Sequence, residues 1–339
     1  MKSIFGFFEN KTILVTGATG LIGSHLVETI LANTKSCSVI ASGRNYQKLQ
    51  NTFPDFNINN RLKIVTIDIK DKIELNLVSN KLDFIFHTAG PQERNVIINS
   101  PLELVDANID GLRNCFDFLL HQEEKFAHRG RLVVFSSLTI YGNSFGDEIV
   151  RLTEVDSNRT GTLNDEMAIY SESKRMSEVL AEAYYRSFGL DYVACRLSTV
   201  YGHSKNPTKT AFFEFLYFAK EGKNISVQDR YGPKRDNIYI EDAVLGILYS
   251  AAYGHTGEIY NISSGGKLDN FLSVADIATI ISETANKIIH RRDLVKVYFS
   301  NELHKPNRGY ILDNTKLTSL GWSLEYSYRE AISKIFLES

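Results

Sequence analysis

The chain has 339 residues, of which 43% are hydrophobic and 23% are charged, and its formal net charge is −2. This composition is typical of a globular protein with a full core, and it favours neither a nucleic-acid-binding surface nor a polybasic membrane surface. Its three cysteines, Cys37, Cys115 and Cys195, stand far apart without a CxxC pair, so we expect neither a disulfide framework nor a thiolate metal site. The apolar run near residue 5 is too short for a signal peptide, and no later run is long enough to span a bilayer, so a cytoplasmic protein is expected.

Short apolar runs alternate with longer amphipathic ones through the first half of the chain. Strands are predicted at 12–17, 37–42, 62–68, 83–90 and 131–137, and a helix is predicted at 21–33. The strands are apolar on both faces, as expected when helices cover a parallel sheet on each side. The pattern predicts an α/β fold with a doubly wound parallel sheet of the Rossmann type.

The segment TGATGLIG places Gly17, Gly20 and Gly23 between the first predicted strand and the first predicted helix. A tight turn, the approach of a pyrophosphate to the backbone and close packing of helix on sheet each favour a residue without a Cβ atom. The helix N-terminus then offers free N–H groups and a partial positive charge to phosphates. The turn therefore predicts a dinucleotide site, with Leu21 and Ile22 in the same turn.

The identity of the dinucleotide depends on the end of the second predicted strand. NAD sites usually carry an acidic residue about twenty positions after the glycines, which accepts from the ribose 2′-hydroxyl. Here the strand ends ASGRN, with Gly43 near that position and Arg44 beside it. Arg44 can pair with a 2′-phosphate, which favours NADP over NAD, or it can stack on the adenine or lie in solvent. Asp68 can accept from the adenine amino group or cap the following helix.

The pattern loosens after about residue 200 into Gly- and Asn-rich loops with short helices. We therefore expect a dinucleotide-binding Rossmann domain over residues 1–200 and a smaller C-terminal substrate-binding lobe that occupies most of 201–339. The segment at about 235–262 is expected to return to the first domain.

A series of motifs, in order along nearly the whole chain, resembles the extended short-chain dehydrogenase/reductase family in its nucleotide-sugar epimerase/dehydratase branch. The motifs are GATGLIG (17–23), HTAG (87–90), NIDG (108–111), SSLTIYG (136–142), YSESK (170–174), RLSTVYG (196–202), RDNIYIEDAV (235–244) and LGW (320–322). The resemblance implies an NAD(P) cofactor held by Gly17, Gly20, Leu21, Ile22, Gly23, Arg44, Asp68, Ile69, Thr88, Ala89, Asn108 and Lys174. A structural role for Asn108, bonding backbone, is the alternative.

Tyr170 and Lys174 stand four residues apart, which places them on one face of a helix. That spacing alone is common on charged surfaces, but the resemblance implies catalytic roles for both residues together with Ser137. A free tyrosine has a pKa near 10, and a neighbouring cation favours its ionised form, so Tyr170 is expected to take a sugar hydroxyl proton. Ser137 is expected to hold the same sugar oxygen, and Ser136 is expected to point away from it.

The residues after Ser137 discriminate between the reactions of the branch. The 4,6-dehydratases carry an Asp–Glu pair where this chain has Leu138 and Thr139, and a decarboxylase typically carries Glu in the place of Thr139. Enzymes that epimerise at carbons 3 and 5 use a Cys with a His or Lys, and only the loop residues His203 and Lys205 are near. The resemblance therefore favours a 4-epimerase that passes through a transient 4-keto sugar.

Other functions stay open at this point. The alternatives within the branch are a keto-sugar reductase and an enzyme like the UDP-glucuronate decarboxylases. Outside the enzyme class, the alternative is a non-catalytic NAD(P)-binding sensor or scaffold. Four residues are expected to contact the nucleotide-diphosphate sugar, namely Thr139, Asn206, Arg235 and Arg308. The resemblance also implies a homodimer, and it implies no nucleic-acid or membrane partner and no metal.

Overall fold

A computed structural model describes residues 4–72, 81–91, 94–142, 147–156, 165–289, 294–306 and 308–338. The strands are β1 (Thr12–Thr16), β2 (Ser38–Gly43), β3 (Leu62–Thr66), β4 (Phe84–His87), β5 (Arg131–Ser137), β6 (Ile149–Leu152), β7 (Asp191–Leu197), β8 (Thr199–Tyr201), β9 (Ile225–Asp229), β10 (Lys234–Tyr239), β11 (Ile259–Ile262), β12 (Phe271–Leu272), β13 (Val297–Asn301) and β14 (Gly309–Leu312). The helices are α1 (Leu21–Asn33), α2 (Tyr46–Thr52), α3 (Arg94–Asn99), α4 (Pro101–Phe126), α5 (Ala168–Phe188), α6 (Ala211–Glu221), α7 (Ile240–Tyr253), α8 (Val274–Ile288), α9 (Thr315–Thr318) and α10 (Tyr328–Leu337).

Seven parallel strands form the central sheet in the order β11–β7–β5–β4–β1–β2–β3. The chain runs outward from β1 to β3 and then crosses back to β4 on the other side of β1, which makes the junction of β1 and β4 the topological switch point. Ligands of open α/β sheets bind at the carboxyl ends of the strands at such a point. The predicted doubly wound α/β fold is confirmed, and α1 has the bounds predicted from the sequence.

Apolar side chains fill both faces of this sheet, as the unbroken apolar runs of its strands require. One core lies between the sheet and α1 and α7, and it contains Val15, Phe86 and Ile247. The other lies under α4 and α5 and contains Leu14 and Phe116. The two long helices α4 and α5 therefore form one complete wall of the sheet, and their N-terminal ends reach its carboxyl edge.

The second half of the chain adds a smaller sheet with the path β12–β10–β14–β6, to which β8 is joined through β10. A separate pair of parallel strands, β9 and β13, lies beside it. Within 235–262, β11 pairs with β7 in the central sheet, whereas β10 belongs to the smaller sheet. The strand β6 precedes residue 200 and nevertheless pairs with β14 of the second half.

A buried ion pair fastens α5 to the central sheet. Arg196 of β7 donates from Nε and Nη2 to the two carboxylate oxygens of Glu178, over 2.9 and 2.8 Å, and these side chains are only 3% and 8% exposed. The third guanidinium nitrogen donates to the Tyr141 hydroxyl and to the Glu154 carbonyl oxygen. Every charge-bearing atom of the pair therefore has a partner, which a buried pair needs in order to be stable.

The described residues hold no helix with the length and apolarity that a membrane crossing requires. They also hold no group of three His, Cys, Asp or Glu side chains placed to bind a metal ion. Cys37, Cys115 and Cys195 are buried free thiols, and burial raises the pKa of each.

The Glu178–Arg196 pair gives a stability prediction. Glu178→Ala leaves a buried guanidinium without its counter-ion, and we expect the free energy of unfolding to fall by about 3–5 kcal/mol. The matched control is Glu283→Ala, which removes one partner of the solvent-exposed pair between Arg329 and Glu283 and should cost about 1 kcal/mol or less. Urea denaturation measures both variants. Equal losses in the two would contradict the assignment of α5 anchoring to this pair.

Candidate functional site

The glycine turn between β1 and α1 is built as the sequence predicts. Gly17 has φ +64°, and a Cβ atom on it would lie 2.7 Å from the Ala89 Cα atom, so no larger residue fits without displacing β4's end. Gly20 is the N-cap of α1 and no side chain caps the helix there. The first N–H groups of α1 are therefore left for another acceptor at the switch point. This arrangement fits a phosphate group of a dinucleotide.

A cleft of about 1290 Å³ runs from this turn across the carboxyl edge of the sheet to the smaller lobe. Most of the residues selected from the sequence line it: Gly17, Gly20, Leu21, Ile22, Gly23, Arg44, Asp68, Ile69, Thr88, Ala89, Ser137, Tyr170, Lys174 and Arg235. The others, Asn108, Thr139, Asn206 and Arg308, do not form its wall. Residues from β1 to β5, from α5 and from the second half thus meet at one place.

Charged side chains surround the end of the cleft beside β2 and β3. Arg44 forms an ion pair with Glu103 of α4, and both side chains line the cleft. Lys48 of α2 lines the same end. Asp68 accepts a 3.2 Å hydrogen bond from the Lys70 backbone N–H, so it caps the turn that follows β3 while still facing the cleft. The neighbour of Arg44 is thus a carboxylate, which the sequence around residue 44 did not indicate.

Ser137, Tyr170 and Lys174 come together at the centre of the cleft. Ser137 is the last residue of β5, and Tyr170 and Lys174 stand in the first two turns of α5 with 8% and 6% of their surface exposed. The Lys174 ammonium donates to the Phe135 carbonyl oxygen over 3.0 Å, and burial lowers its pKa to about 8. Burial raises the pKa of Tyr170, and a hydrogen bond with Ser137 opposes that rise.

The turn after β5 fixes the Ser137 hydroxyl. Ser137 is the N-cap of a 3-10 helix at Leu138–Tyr141, and its Oγ accepts the Thr139 backbone N–H over 3.2 Å. The Thr139 hydroxyl donates to the same oxygen over 3.1 Å. Leu138 packs in a small apolar cluster with Ile140 and Leu152. The positions of the dehydratase Asp–Glu pair therefore carry one buried apolar side chain and one hydroxyl turned to Ser137.

Asn108 and Thr88 hold the walls of the cleft together. The Asn108 side-chain amide donates to the Ser173 hydroxyl of α5 over 2.9 Å, and its backbone carbonyl accepts from the Ser177 hydroxyl. Its buried Oδ1 has no partner among the described residues. The Thr88 hydroxyl donates to the Thr16 carbonyl over 2.6 Å and so supports the glycine turn. Asn108 therefore links α4 to α5, and its side chain does so through a hydroxyl, whereas the structural alternative considered for it was a bond to backbone.

Arg235 points into the cleft from β10, whereas its neighbour Asp236 is fully buried on the opposite face. Burial raises the Asp236 pKa to about 7, and its carboxylate accepts hydrogen bonds from the Ser264 hydroxyl and N–H and from the Gly266 N–H. Asp236 is therefore occupied by these donors, and it forms no salt bridge with Arg235. The Arg235 guanidinium is exposed to the cleft.

Two of the residues expected to bind substrate have other contacts. The Arg308 guanidinium pairs with Asp147 over 3.3 Å. Asp313, which lies close to Arg308 in the sequence, pairs with Arg151. The Asn206 side-chain amide donates to the Thr19 carbonyl and to the Thr52 hydroxyl, over 3.1 and 3.0 Å. Asn206 thus ties its loop to the glycine turn and to α2, and its amide hydrogens are not free for a diphosphate.

Sequence reasoning missed three polar groups of the cleft. Ser136, Ser198 and Tyr328 line the cleft, and their buried hydroxyls have no hydrogen-bond partner in the described part of the chain. Ser136 was expected to point away from the sugar oxygen; the residue lies in the cleft wall, and its hydroxyl is buried. Tyr328, from α10, stacks on Tyr201 with ring centroids 4.1 Å apart. Unpaired buried hydroxyls are costly unless a ligand satisfies them, which supports a polar ligand here.

Comparison with known proteins identifies the family that the motifs indicated. Residues 13–263 match the NAD dependent epimerase/dehydratase family. The chain is 27% identical to a dTDP-glucose 4,6-dehydratase of Escherichia coli over 338 residues, which cover 95% of this chain and 91% of that protein.

Solved structures of similar proteins share the fold. A UDP-glucose 4-epimerase of Thermotoga maritima with UDP-glucose superposes with a TM-score of 0.75 at 21% identity, covering 96% of this chain and 99% of that one. A dTDP-glucose 4,6-dehydratase of Bacillus anthracis in complex with NAD gives a TM-score of 0.75 at 21% identity, covering 96% of both chains. The match to the family extends over well more than half of the sequence. The chain therefore belongs to the NAD-dependent epimerase/dehydratase family, whose enzymes use a cofactor of the NAD(P) type.

Proposed function

We propose that the protein is a nucleotide-sugar 4-epimerase that works through a transient 4-keto sugar. The observation that carries the proposal is the composition of the cleft centre. Ser137, Tyr170 and Lys174 meet there, and the two positions that supply acid and base for elimination in the dehydratases hold the buried Leu138 and the hydroxyl of Thr139. Ser137, Tyr170 and Lys174 can serve proton transfer at one sugar oxygen. The acid and base that a second proton transfer at carbons 5 and 6 would need are replaced by Leu138 and Thr139.

The roles of the residues follow from their positions. NAD(P) held at the glycine turn of Gly17, Gly20 and Gly23 would supply the acceptor and donor for a hydride at carbon 4 of the sugar. Tyr170 removes the proton of the 4-hydroxyl as the hydride leaves and gives it back when the hydride returns to the opposite face of the ring. Ser137 donates to the same oxygen and keeps it within reach. The Lys174 ammonium has three donors, of which one is bound to Phe135, so two are left to orient the cofactor and to stabilise the Tyr170 phenolate.

Other reactions of the branch need groups that this cleft places elsewhere. Epimerisation at carbons 3 and 5 would need a proton donor beside Thr139, but Lys205 pairs with Glu28 and donates to the Thr52 carbonyl, and His203 is exposed outside the cleft wall. A decarboxylase-like enzyme would need the carboxylate that Thr139 replaces. Reduction of a nucleotide-linked keto sugar uses the same Ser137, Tyr170 and Lys174 once, with Tyr170 as the acid, and is the second candidate.

The cofactor assigned to this cleft is NADP. Two cations, Arg44 and Lys48, face the end where the adenosine ribose of a dinucleotide would lie, and no acidic residue stands at the end of β2. Glu103 is the ion-pair partner of Arg44 and competes with a 2′-phosphate for the guanidinium. The pair is exposed, so little free energy is needed to separate it.

Arg235 is the residue assigned to the diphosphate of the substrate. Its guanidinium faces the cleft on the side of the smaller lobe, and the planar fork matches phosphate oxygens. Apolar and aromatic side chains of α6 and β9, including Phe212, Phe215 and Val227, line the same side and suit a nucleoside. The sugar would then lie between Arg235 and Tyr170.

The homodimer belongs to the same proposal. On α5, Ile169, Met176, Val179 and Ala183 form one exposed apolar stripe on the face turned away from the sheet, with Met176 and Val179 each about half exposed. Such a stripe on a long helix fits the helix pairing that the family resemblance implies. Tyr170 and Lys174 are buried and point inward, so they do not belong to this stripe.

The bound cofactor gives the first prediction. An epimerase regenerates its cofactor in every cycle and tends to keep it, so denaturing freshly purified protein should release about one nucleotide per chain. Chromatography and mass spectrometry are expected to identify NADP. Arg44→Ala removes a charged partner of the 2′-phosphate and should weaken NADP binding by roughly tenfold or more, with little effect on NAD. Release of NAD would overturn the NADP assignment, and an empty protein that binds added NADPH would favour the keto-sugar reductase.

Tyr170→Phe tests the catalytic assignment. Loss of the phenolic oxygen should lower kcat by about 10² to 10⁴-fold, because proton transfer at the 4-hydroxyl is lost, while bound cofactor is retained. The assay follows interconversion of UDP-hexoses by chromatography. Tyr184→Phe is the matched control: it removes a hydroxyl from the same helix, where that hydroxyl donates to Asp117 outside the cleft, and should keep kcat near wild type. Undiminished turnover by Tyr170→Phe would refute the mechanism, and no turnover in the wild type would favour the sensor or scaffold.

Arg235→Ala tests the diphosphate assignment against Arg308→Ala. Removing a charged hydrogen-bond donor to phosphate should raise KM for the nucleotide sugar by about ten- to a hundredfold. Arg308 is paired with Asp147 outside the cleft wall, so its substitution should raise KM much less. Steady-state kinetics on both variants decide the question. A larger effect at Arg308 would assign the diphosphate to that residue, as the sequence also allowed.

A further inference from the structure

Leu138 and Thr139, the two residues after Ser137, carry no charge, and the proposed reaction gives the Thr139 hydroxyl no role. Leu138 is packed away in an apolar cluster, but the Thr139 hydroxyl is not part of the cleft wall and is not spent on backbone. Its one described hydrogen bond is the 3.1 Å donation to Ser137 Oγ. Thr139 was expected to contact the sugar, and it contacts instead Ser137, the residue proposed to hold the sugar oxygen.

We propose that Thr139 is a positioning residue that fixes the direction in which the Ser137 hydroxyl donates. Ser137 Oγ accepts two hydrogen bonds from the same residue, one from the Thr139 N–H and one from the Thr139 O–H. A serine oxygen has two lone pairs and one hydrogen. With both lone pairs engaged, the hydroxyl can act only as a donor, and Tyr170 is the hydrogen-bond partner to which it can donate.

This arrangement has a consequence for catalysis. A Ser137 hydroxyl that is free to rotate would spend part of its time as an acceptor, facing Tyr170 or the sugar oxygen with a lone pair. A hydroxyl fixed as donor offers its one hydrogen to whichever oxygen, that of Tyr170 or that of the sugar, carries negative charge as the 4-hydroxyl proton is transferred. Donation by Thr139 also polarises the Ser137 O–H, so the donated bond is stronger. The hydrogen bond from Ser137 indeed lowers the Tyr170 pKa against the effect of burial.

The inference rests on the proposed function for its kinetic consequence, but its structural part concerns Ser137 and Tyr170 alone. Thr139→Val keeps the β-branched shape and the backbone N–H and removes only the O–H donor. Thr139→Ser keeps the donor and removes a methyl group. Comparison of the two separates the hydrogen bond from packing, and Thr139→Ala supplies a second variant without the donor if the valine is not accommodated.

We expect Thr139→Val to lower kcat by roughly three- to tenfold with KM for the nucleotide sugar unchanged, as one neutral hydrogen bond acting in the reaction is lost. Thr139→Ser should restore kcat to within about twofold. In a Ser137→Ala background, Thr139→Val should cause no further loss, because the group through which it acts is gone. The rising limb of the kcat–pH profile, set by ionisation of Tyr170, should move upward by about half a pH unit in Thr139→Val.

A second readout does not depend on turnover. The Tyr170 phenol can be titrated by ¹³C NMR of labelled tyrosine, with Tyr170→Phe assigning the resonance. Its pKa should be higher in Thr139→Val than in wild type and unchanged in Thr139→Ser. Equal Tyr170 pKa values in all three proteins, or an additive loss of kcat in the Ser137→Ala background, would overturn the inference. Absence of sugar turnover in the wild type together with the expected pKa change would refute the proposed function and leave the inference standing.

Discussion

The burial of one cation between β5 and α5 organises the reactive centre. Lys174 has 6% of its surface exposed, burial lowers its pKa to about 8, and the Phe135 carbonyl, two residues before Ser137, is its described acceptor. A buried ammonium needs such a partner, so the helix can dock only where that carbonyl is within reach. This one contact fixes the distance from the end of β5, which carries Ser137, to the first turn of α5, which carries Tyr170. The Glu178–Arg196 pair, one turn further along, holds the same helix against β7.

Local signals explain why much of this could be predicted from the sequence. The turn at Gly17 needs a left-handed residue next to β4, and the strands on either side are apolar on both faces, so the Rossmann half follows from short-range pattern alone. The spacing of Tyr170 and Lys174 fixes their common face on α5 in the same way. Ser136 also lies in the cleft wall, which alternation along the strand did not predict, although Ser136 and Ser137 are both still paired with β7.

Long-range pairing explains what could not be predicted. Arg235 and Arg308 stand in equally suggestive motifs, yet Arg308 pairs with Asp147, which is 161 positions earlier in the chain, and Arg235 has its acidic neighbour withdrawn into a buried turn. Asn206 is tied to Thr19 across 187 positions. Arg44 meets Glu103 of α4, so the charge at the adenosine end is the sum of residues that are distant in sequence. No local pattern contains these partners, because they come from segments that are distant in sequence and meet only when the chain is folded.

The chemistry of the cleft is limited by what its polar groups can exchange. Under the proposed function Tyr170 transfers the proton, Ser137 donates a hydrogen bond, Lys174 is held by the Phe135 carbonyl and Leu138 is apolar. One proton site supports one reversible oxidation at one carbon, whereas elimination requires a second acid–base pair on the neighbouring carbons. The proposed epimerisation and its alternative, keto-sugar reduction, share this limit, and they differ in whether the hydride returns to the sugar that it left.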